Sequence, residues 1–302
     1  MLDPVHLRTL RRVVTTGSFA LAAAALDYTP SAVSQQMSAL ERTAGVALFE
    51  RLPRGITPTP AAHQLAARAA DILAELDAAE AELATLARGR SGRLRLGAFP
   101  TAGAALVPAA LAQLEPAAAR EGVSLSEAEP DQLEAEVMTG DLDLALLYRY
   151  DLVPRPEDER LVVTRLRREA MLLLLPASRP AARSDRPIRL ARLRDERWVA
   201  PLVGSAGAEN LERLCAAAGF RPRVSFRSND YAVVRGLVAA GLGVALVPEL
   251  ALDPVALSSK TGVHASAVWG HHEGREVLAV HRRTDRNPLI PALLGALQAI
   301  RR

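Results

Sequence analysis

Residues 27–45 read DYTPSAVSQQMSALERTAG. Thr29 followed by Pro30 predicts an N-cap and a first helical residue, and Gly45 predicts the stop. Between them Val33, Met37 and Leu40 fall at i, i+4 and i+7, a stripe suited to burial. The opposite face carries Ser31, Ser34, Gln35 and Ser38. Solvated helix faces are usually rich in Glu and Lys, which favour helix and pair across turns. This face has neither.

The segments on either side place the helix. Asp3-Pro4, Thr29-Pro30 and Thr59-Pro60 are three capping side chains followed by proline, each opening a helix, and Ser18 after Gly17 opens another. The pattern predicts helices over 4–16, 18–26 and 30–43, then two short extended pieces around a Pro53–Gly55 turn in ALFERLPRGITPT. Three short helices and a hairpin make a winged helix-turn-helix, with DYT as the turn. Residues 60–90 follow without Pro or Gly from Ala61 until Gly89. In that run Leu65, Ile72, Ala79 and Leu86 recur every seven residues, with Ala69, Leu76 and Leu83 offset by four, which predicts a helix that pairs with a copy of itself. A single long helix packed on its own domain is the alternative. With Arg68 facing Asp71, Glu75, Asp77, Glu80 and Glu82, residues 61–87 are too acidic to lie on DNA.

After the basic, glycine-broken RGRSGR at 88–93, strand-like and helix-like runs alternate to the C-terminus, implying mostly parallel sheets covered on both faces. The expected fold is α/β with an N-terminal all-α winged helix-turn-helix over 1–60 and a dimerisation helix and hinge over 61–90. The remainder, 91–302, divides into two lobes: about 91–162 with 267–302, and about 163–266. Ligands in such sheets sit at the carboxyl ends of strands.

Composition limits the classes. The 302 residues, 49% hydrophobic and 24% charged, are those of a globular protein. The net charge of +3 does not by itself demand nucleic acid, and the pI near 9.5 reflects a cationic set that is all arginine except Lys260. A single cysteine, Cys215, excludes an intrachain disulfide framework and reads as a buried helical residue. No apolar run is long enough to span a bilayer and MLDPVHLRTLRR is not a signal sequence, so a cytoplasmic location without membrane contact is expected.

A face of Ser and Gln suits a DNA major groove. Gln gives two hydrogen bonds to an adenine edge, Ser bonds bases or phosphate, and small side chains let the helix sink in. Arg51 and Arg54 at the hairpin are placed for phosphates or the minor groove, while Arg8, Arg11 and Arg12 lie on the first helix, where Arg8 and Arg12 suit either backbone or solvent. Alone, the uncharged face also fits a surface helix that lacks charge; with the hairpin, the heptad helix and the α/β body, DNA is the reading adopted.

The stretch GSFALAAAALDYTPSAVSQQMSALERTAGVALFERLPRGITPTPAA resembles the N-terminal signature of the LysR-type transcriptional regulators, and GDLDLALL and LVAAGLGVALVPEL extend the resemblance along the chain. It implies a periplasmic-binding-protein-like effector domain, dimers of dimers on pseudo-palindromic double-stranded promoter DNA, and RNA polymerase as an open further partner. By position it assigns Pro30, Ser31, Ser34, Gln35 and Ser38 to base reading and Arg51 and Arg54 to the wing. Pro30 and Gln35 replace the family's frequent Gln and Arg, and Pro58 and Ala62 its Leu and Gly. The implied effector contacts are Phe99, Pro100 and Thr101; Tyr148 and Arg149; Val203, Gly204 and Ser205; and Asn229 and Asp230. The implied ligand is a small-molecule effector rather than a cofactor, and Arg149 suggests a carboxylate on it.

Other signals are weaker. GLG at 241–243 lacks the third glycine of a dinucleotide loop and reads as helix–strand packing, and GSAG at 204–207 is not a nucleophile elbow because residue 203 is Val. His271 and His272 read as a polar loop, and His63, His264 and His281 lack metal-binding companions. An enzyme with a targeting head, or an architectural DNA-coating protein, are the alternatives; no nucleophile–base set or phosphate loop supports the first.

Overall fold

The computed structural model describes residues 1–52, 55–88, 93–115, 118–179, 186–252, 262–270 and 274–300. The head begins with α1 (Pro4–Thr16), α2 (Phe19–Ala25) and α3 (Pro30–Ala44), followed by the hairpin β1 (Phe49–Leu52) and β2 (Gly55–Pro58). Each predicted cap is made: Asp3 accepts from the Val5 amide at 2.8 Å, Ser18 from Leu21 at 3.4 Å, and Thr29 from Ala32 at 3.2 Å. Gly17 and Gly45 close α1 and α3 at φ 65° and 70°, where a side chain would be strained. Leu7, Leu10 and Val13 meet Ala22, Ala23, Val33, Met37 and Leu40 in one core, and the rim of Phe19 meets Phe49 with centroids 5.4 Å apart.

The long helix α4 (Pro60–Arg88) serves that core as well. Ala62, Ala69 and Leu73 are fully buried in the head, with Leu65 packed against them. The heptad reading therefore needs correction at its start: Leu65 and Ala69 face the chain's own head. Ile72, Leu76 and Ala79 are exposed. A helix turns every 3.6 residues, so a stripe at 62, 69 and 73 runs beside one at 72, 76 and 79 and the two share the helix without competing. The side chains of Leu83 and Leu86 lie outside the described residues.

Lobe 1 follows as β3 (Leu94–Ala98), α5 (Pro100–Ala105), α6 (Val107–Gln113), α7 (Ala118–Glu121), β4 (Val123–Glu127), α8 (Pro130–Thr139) and β5 (Leu144–Tyr150). The strand β6 (Leu161–Pro176) then runs through both lobes. Lobe 2 adds β7 (Arg197–Ala200), α9 (Ala206–Ala217), β8 (Arg223–Arg227), α10 (Tyr231–Ala239), β9 (Ala245–Pro248) and β10 (Val263–Ala267), and the chain returns through β11 (Gly274–Arg282) to α11 (Leu289–Ala299).

In lobe 1, β4, β3 and β5 are parallel, while β11 is antiparallel to both β5 and β6. In lobe 2, β9 and β10 flank the far half of β6 antiparallel, and β7 and β8 pair in parallel. The expectation of mostly parallel sheets thus holds for the βα repeats and fails for the strands that cross between lobes, which enter from the other direction. β6 pairs with β11 as far as Ala170 and with β9 from Met171. It changes partner beyond residue 163, where the sequence reading divided the lobes.

Two small residues show how tightly the lobes are assembled. A Cβ on Gly243 would stand 2.8 Å from the Arg197 carbonyl, so the close approach in the GLG stretch is to β7 and not the helix–strand packing expected. A Cβ on Gly274, where β11 begins, would stand 2.4 Å from the Glu169 carbonyl of β6. Cys215 is fully buried, and burial pushes its thiol up to about 12. Gly274→Ala must therefore push the two crossover strands apart, with a loss of about 1–3 kcal/mol of stability, read as a lower urea midpoint for the full chain.

Candidate nucleic-acid interface and interlobe cleft

Burying Val33, Met37 and Leu40 turns the other face of α3 outward. Ser34, Gln35 and Ser38 line a shallow open groove of about 560 Å³ together with His6, Ala32, Gln36, Ala39 and Arg42. Pro30 and Ser31 are exposed at the helix start, where the Ser31 hydroxyl is 3.0 Å from that of Thr29. The groove thus brings together Ser34, Gln35 and Ser38, with Pro30 and Ser31 at one end. His6 and Arg42 were not anticipated; the periodicity of their own helices places both on this side. Gln36 also faces the groove, but its Oε1 accepts from the buried Thr9 hydroxyl at 2.6 Å and so links α3 to α1.

The wing is fastened to the recognition helix by one carboxylate. Glu41 Oε1 accepts from the amides of Leu48 at 2.8 Å and Phe49 at 3.1 Å, satisfying two donors at the start of β1. The hairpin register is Phe49↔Pro58 to Leu52↔Gly55. Arg54 and the side chain of Arg51 lie outside the described residues. Arg8, Arg11 and Arg12 do not reach the groove side. Arg8 pairs with Asp77 of α4 at 2.6 Å, and Arg11 and Arg12 pair with Asp141 of lobe 1 at 3.3 and 3.7 Å. Arg8 and Arg12 stay largely exposed beside these carboxylates, as the sequence reading allowed, while Arg11 is mostly buried.

Between the lobes lies a cleft with a narrow waist. A cavity of about 270 Å³ on one side is lined by Glu129, Tyr148, Arg149, Leu202, Ser205 and Asn229 among others. A wider one of about 700 Å³ is lined by Pro100, Thr101, Glu127, Asp230, Tyr231 and Arg235 among others. A constriction of about 20 Å³ shares walls with both and is floored by Arg275. All ten expected effector residues fall on these walls, with unequal access.

Phe99 is buried, edge-on to Tyr148 with centroids 4.9 Å apart, and forms a wall rather than a contact surface. Thr101 accepts from Arg275 at 3.0 Å. Val203 and Gly204 are exposed at the rim, and Ser205 and Asp230 cap α9 and α10. Arg149 pairs with Glu157 at 3.1 Å and lies 3.9 Å from Glu134, while its buried Nη2 has no hydrogen-bond partner among the described residues and its side chain lines the smaller cavity.

Several residues in and behind the waist were missed, Arg275, Glu169, Glu129, Tyr150 and Tyr231 among them. Arg275 and Glu169 form a fully buried pair at 2.6 Å, and Glu169 also accepts from the Leu250 amide at 2.7 Å. The Arg275 guanidinium lies 4.6 Å from the Tyr148 ring centroid and 4.9 Å from that of Phe99. Burial disfavours the cation, but Tyr150 and Glu169 beside it hold its proton more firmly than usual. Burial also raises the phenols of Tyr148, Tyr150 and Tyr231, so all three remain neutral donors. Glu129, just before α8, accepts from Tyr148 at 3.0 Å and from Asn229 Nδ2 at 2.8 Å, joining the two lobes. In sequence Glu129 looked like an ordinary acid at a helix start, and Arg275 like one charge at the edge of an apolar strand. An arginine opening a strand of Val, Leu and Ala was the available signal. Among the described residues no group of three or more His, Cys, Asp or Glu is placed to hold a metal.

With this geometry in hand, the comparisons agree with one another. Residues 4–63 match the profile of the bacterial regulatory helix-turn-helix proteins of the lysR family, and residues 87–301 match that of the LysR substrate-binding domain. The small neutral protease regulatory protein of Streptomyces coelicolor is 30% identical over 299 residues, 98% of this chain and 87% of its own length. A full-length OxyR variant of Pseudomonas aeruginosa superposes with a TM-score of 0.72 at 21% identity, over 99% of this chain and 95% of its own. Full-length CbnR in complex with its target DNA superposes at 0.55 with 22% identity, over 98% and 99%. Both of these structures share the fold. Glu41→Ala should cost about 1–3 kcal/mol, measured by urea denaturation, because the part-buried amides of Leu48 and Phe49 lose their acceptor.

Proposed function

The chain belongs to the LysR family of bacterial transcriptional regulators, and on that premise we propose how it reads DNA and what it senses. Its function is regulation of transcription through DNA binding and not catalysis. In our reading α3 lies in the major groove of a promoter site, with Ser34, Gln35 and Ser38 against base edges and Pro30 and Ser31 at the helix entry, while Arg51 and Arg54 reach the backbone or minor groove. The observation that carries this is the Ser- and Gln-lined groove of α3, with Arg42 at its border, backed by the Val33–Met37–Leu40 stripe and joined to the wing by Glu41.

Two heads are needed for a palindromic site, and the exposed Ile72, Leu76 and Ala79 of α4 supply a surface for a second copy, the same heptad spacing running on in the sequence to Leu83 and Leu86. A homodimer, or a homotetramer built from two, is the proposed assembly; CbnR, a LysR family regulator, has been solved bound to its target DNA. RNA polymerase, whose initiation a promoter-bound regulator alters, is the further partner. Among the described residues no helix is long and apolar enough to cross a membrane, and the cytoplasm, where the promoter is, is the proposed location.

The effector site in this reading is the cleft, with Pro100, Thr101, Tyr148, Ser205 and Asn229 within reach of a ligand and Phe99 behind them. Arg149 supports the rim through Glu134 and Glu157. A ligand acts there only through the difference in its affinity for two lobe arrangements.

The decisive experiment selects genomic fragments with the purified full chain and footprints the best one. Changing Ser34→Ala and Gln35→Ala together should reduce the preference for that site over unrelated DNA about 10- to 100-fold. Salt-dependent binding to any DNA should persist. Undiminished preference in the double variant rejects the assignment of α3.

A further inference from the structure

Each arginine on the walls of the narrow compartment and the waist already faces a carboxylate. Arg275 is held by Glu169 at 2.6 Å, Arg149 lies 3.1 Å from Glu157 and 3.9 Å from Glu134, and Arg155 pairs with Asp131. The acids are not matched in the same way. Glu129, half-buried on the wall that the narrow compartment shares with the waist, takes its two hydrogen bonds from neutral donors. These are the Tyr148 phenol at 3.0 Å and Asn229 Nδ2 at 2.8 Å. Among the described residues no cationic side chain stands within ion-pair distance of it. The wider compartment leans the same way, with Glu127 and Asp230 against the single Arg235. A chain of net charge +3 thus encloses a cleft whose unmatched charge is negative.

The surroundings of Glu129 suit an organic cation. A carboxylate has about four acceptor sites, and Glu129 uses two of them. The Tyr148 ring beside it meets Phe99 at 4.9 Å and Tyr150 at 5.4 Å between centroids, and an aromatic wall of this kind attracts positive charge. The waist, at about 20 Å³, has room for about one water-sized group. Beyond it the compartment of about 270 Å³ offers Val153, Leu202, Val203 and Ala206 as an apolar lining. An anion meets poorer conditions. The Arg149 Nη2, without a partner among the described residues, is buried and so is not presented to the cavity. The start of α9 is capped by Ser205, whose Oγ accepts from the Ala208 amide at 3.2 Å.

We propose that the cleft takes a small organic cation, an ammonium group carrying an apolar tail. The ammonium donates to the Glu129 carboxylate at the waist, beside the Tyr148 ring, and the tail lies in the narrow compartment against Leu202 and Val203. This assignment of ligand class rests on the reading of the cleft as the effector site. Arg149 alone suggested a carboxylate on the ligand; the balance of charge around Glu129 reverses the sign.

The test is calorimetry on the full chain with two sets of shape-matched probes: phenethylamine, phenethyl alcohol and hydrocinnamate, and hexylamine, hexanol and hexanoate. In at least one set the amine should bind about 10- to 100-fold more tightly than the alcohol and the carboxylate. Glu129→Gln keeps the size of the side chain and should bring the amine down to the level of the alcohol, whose own affinity stays unchanged. Circular dichroism checks that the variant is folded, and the ranking in the parent chain needs no variant. Absence of amine binding, an amine no tighter than its alcohol or carboxylate, or an amine preference that survives Glu129→Gln overturns the proposal. Leu202→Trp, which fills the narrow compartment from an exposed position, separates the two readings. A carboxylate or alcohol that binds best and is lost in Leu202→Trp keeps the cleft as the site and rejects the cation. A probe indifferent to both variants rejects the cleft as well.

Discussion

The effector domain is organised around one buried ion pair. Arg275 and Glu169 face each other where β11 and β6 pass between the lobes, and each serves more than its partner: Glu169 takes the Leu250 amide and Arg275 reaches Thr101. Removing one member of such a pair leaves an uncompensated charge in the interior, at about 3–5 kcal/mol. The pair therefore fixes the register of the two strands on which both lobes are built. It also floors the waist of the cleft, with Phe99 and Tyr148 stacked against its guanidinium. Gly274, with no room for a side chain beside Glu169, belongs to the same constraint.

The head depends on a different physics, that of local sequence. Its caps are short polar side chains acting on amides two or three residues away, and its core is a helical stripe, so the helices and their ends were legible from 27–45 outward. The heptad in α4 was legible as periodicity, but not which of two neighbouring stripes would be taken by the head. Leu65 and Ala69 show why: a seam and a core face can differ by a single position, and only the packing of Leu73 and Ala62 selects between them.

In the effector domain the alternation of strands and helices was readable, whereas β6 was not seen at full length. Its first half, LVVTRLRRE, carries four charges, which mask a strand whose exposed face is solvated while the other pairs with β11. The cleft residues named by resemblance all lie on its walls, yet Glu129, Glu169 and Arg275 were not singled out in sequence, where only Arg275 left a trace. Their partners stand 100, 81 and 174 positions away, at Asn229, Leu250 and Thr101. The carboxylate neighbours of Arg149, Glu134 and Glu157, were hidden for the same reason, since their approach to it is made only in the fold.

The two faces of α3 share a helix but almost no atoms. Val33, Met37 and Leu40 hold the head together, and Ser34, Gln35 and Ser38 touch little of it. In the proposed reading, replacing a side chain on the outer face alters what the protein recognises while leaving the folded state almost undisturbed. On that reading, descendants of this chain can drift toward new operators one residue at a time, without passing through an unfolded intermediate in their history.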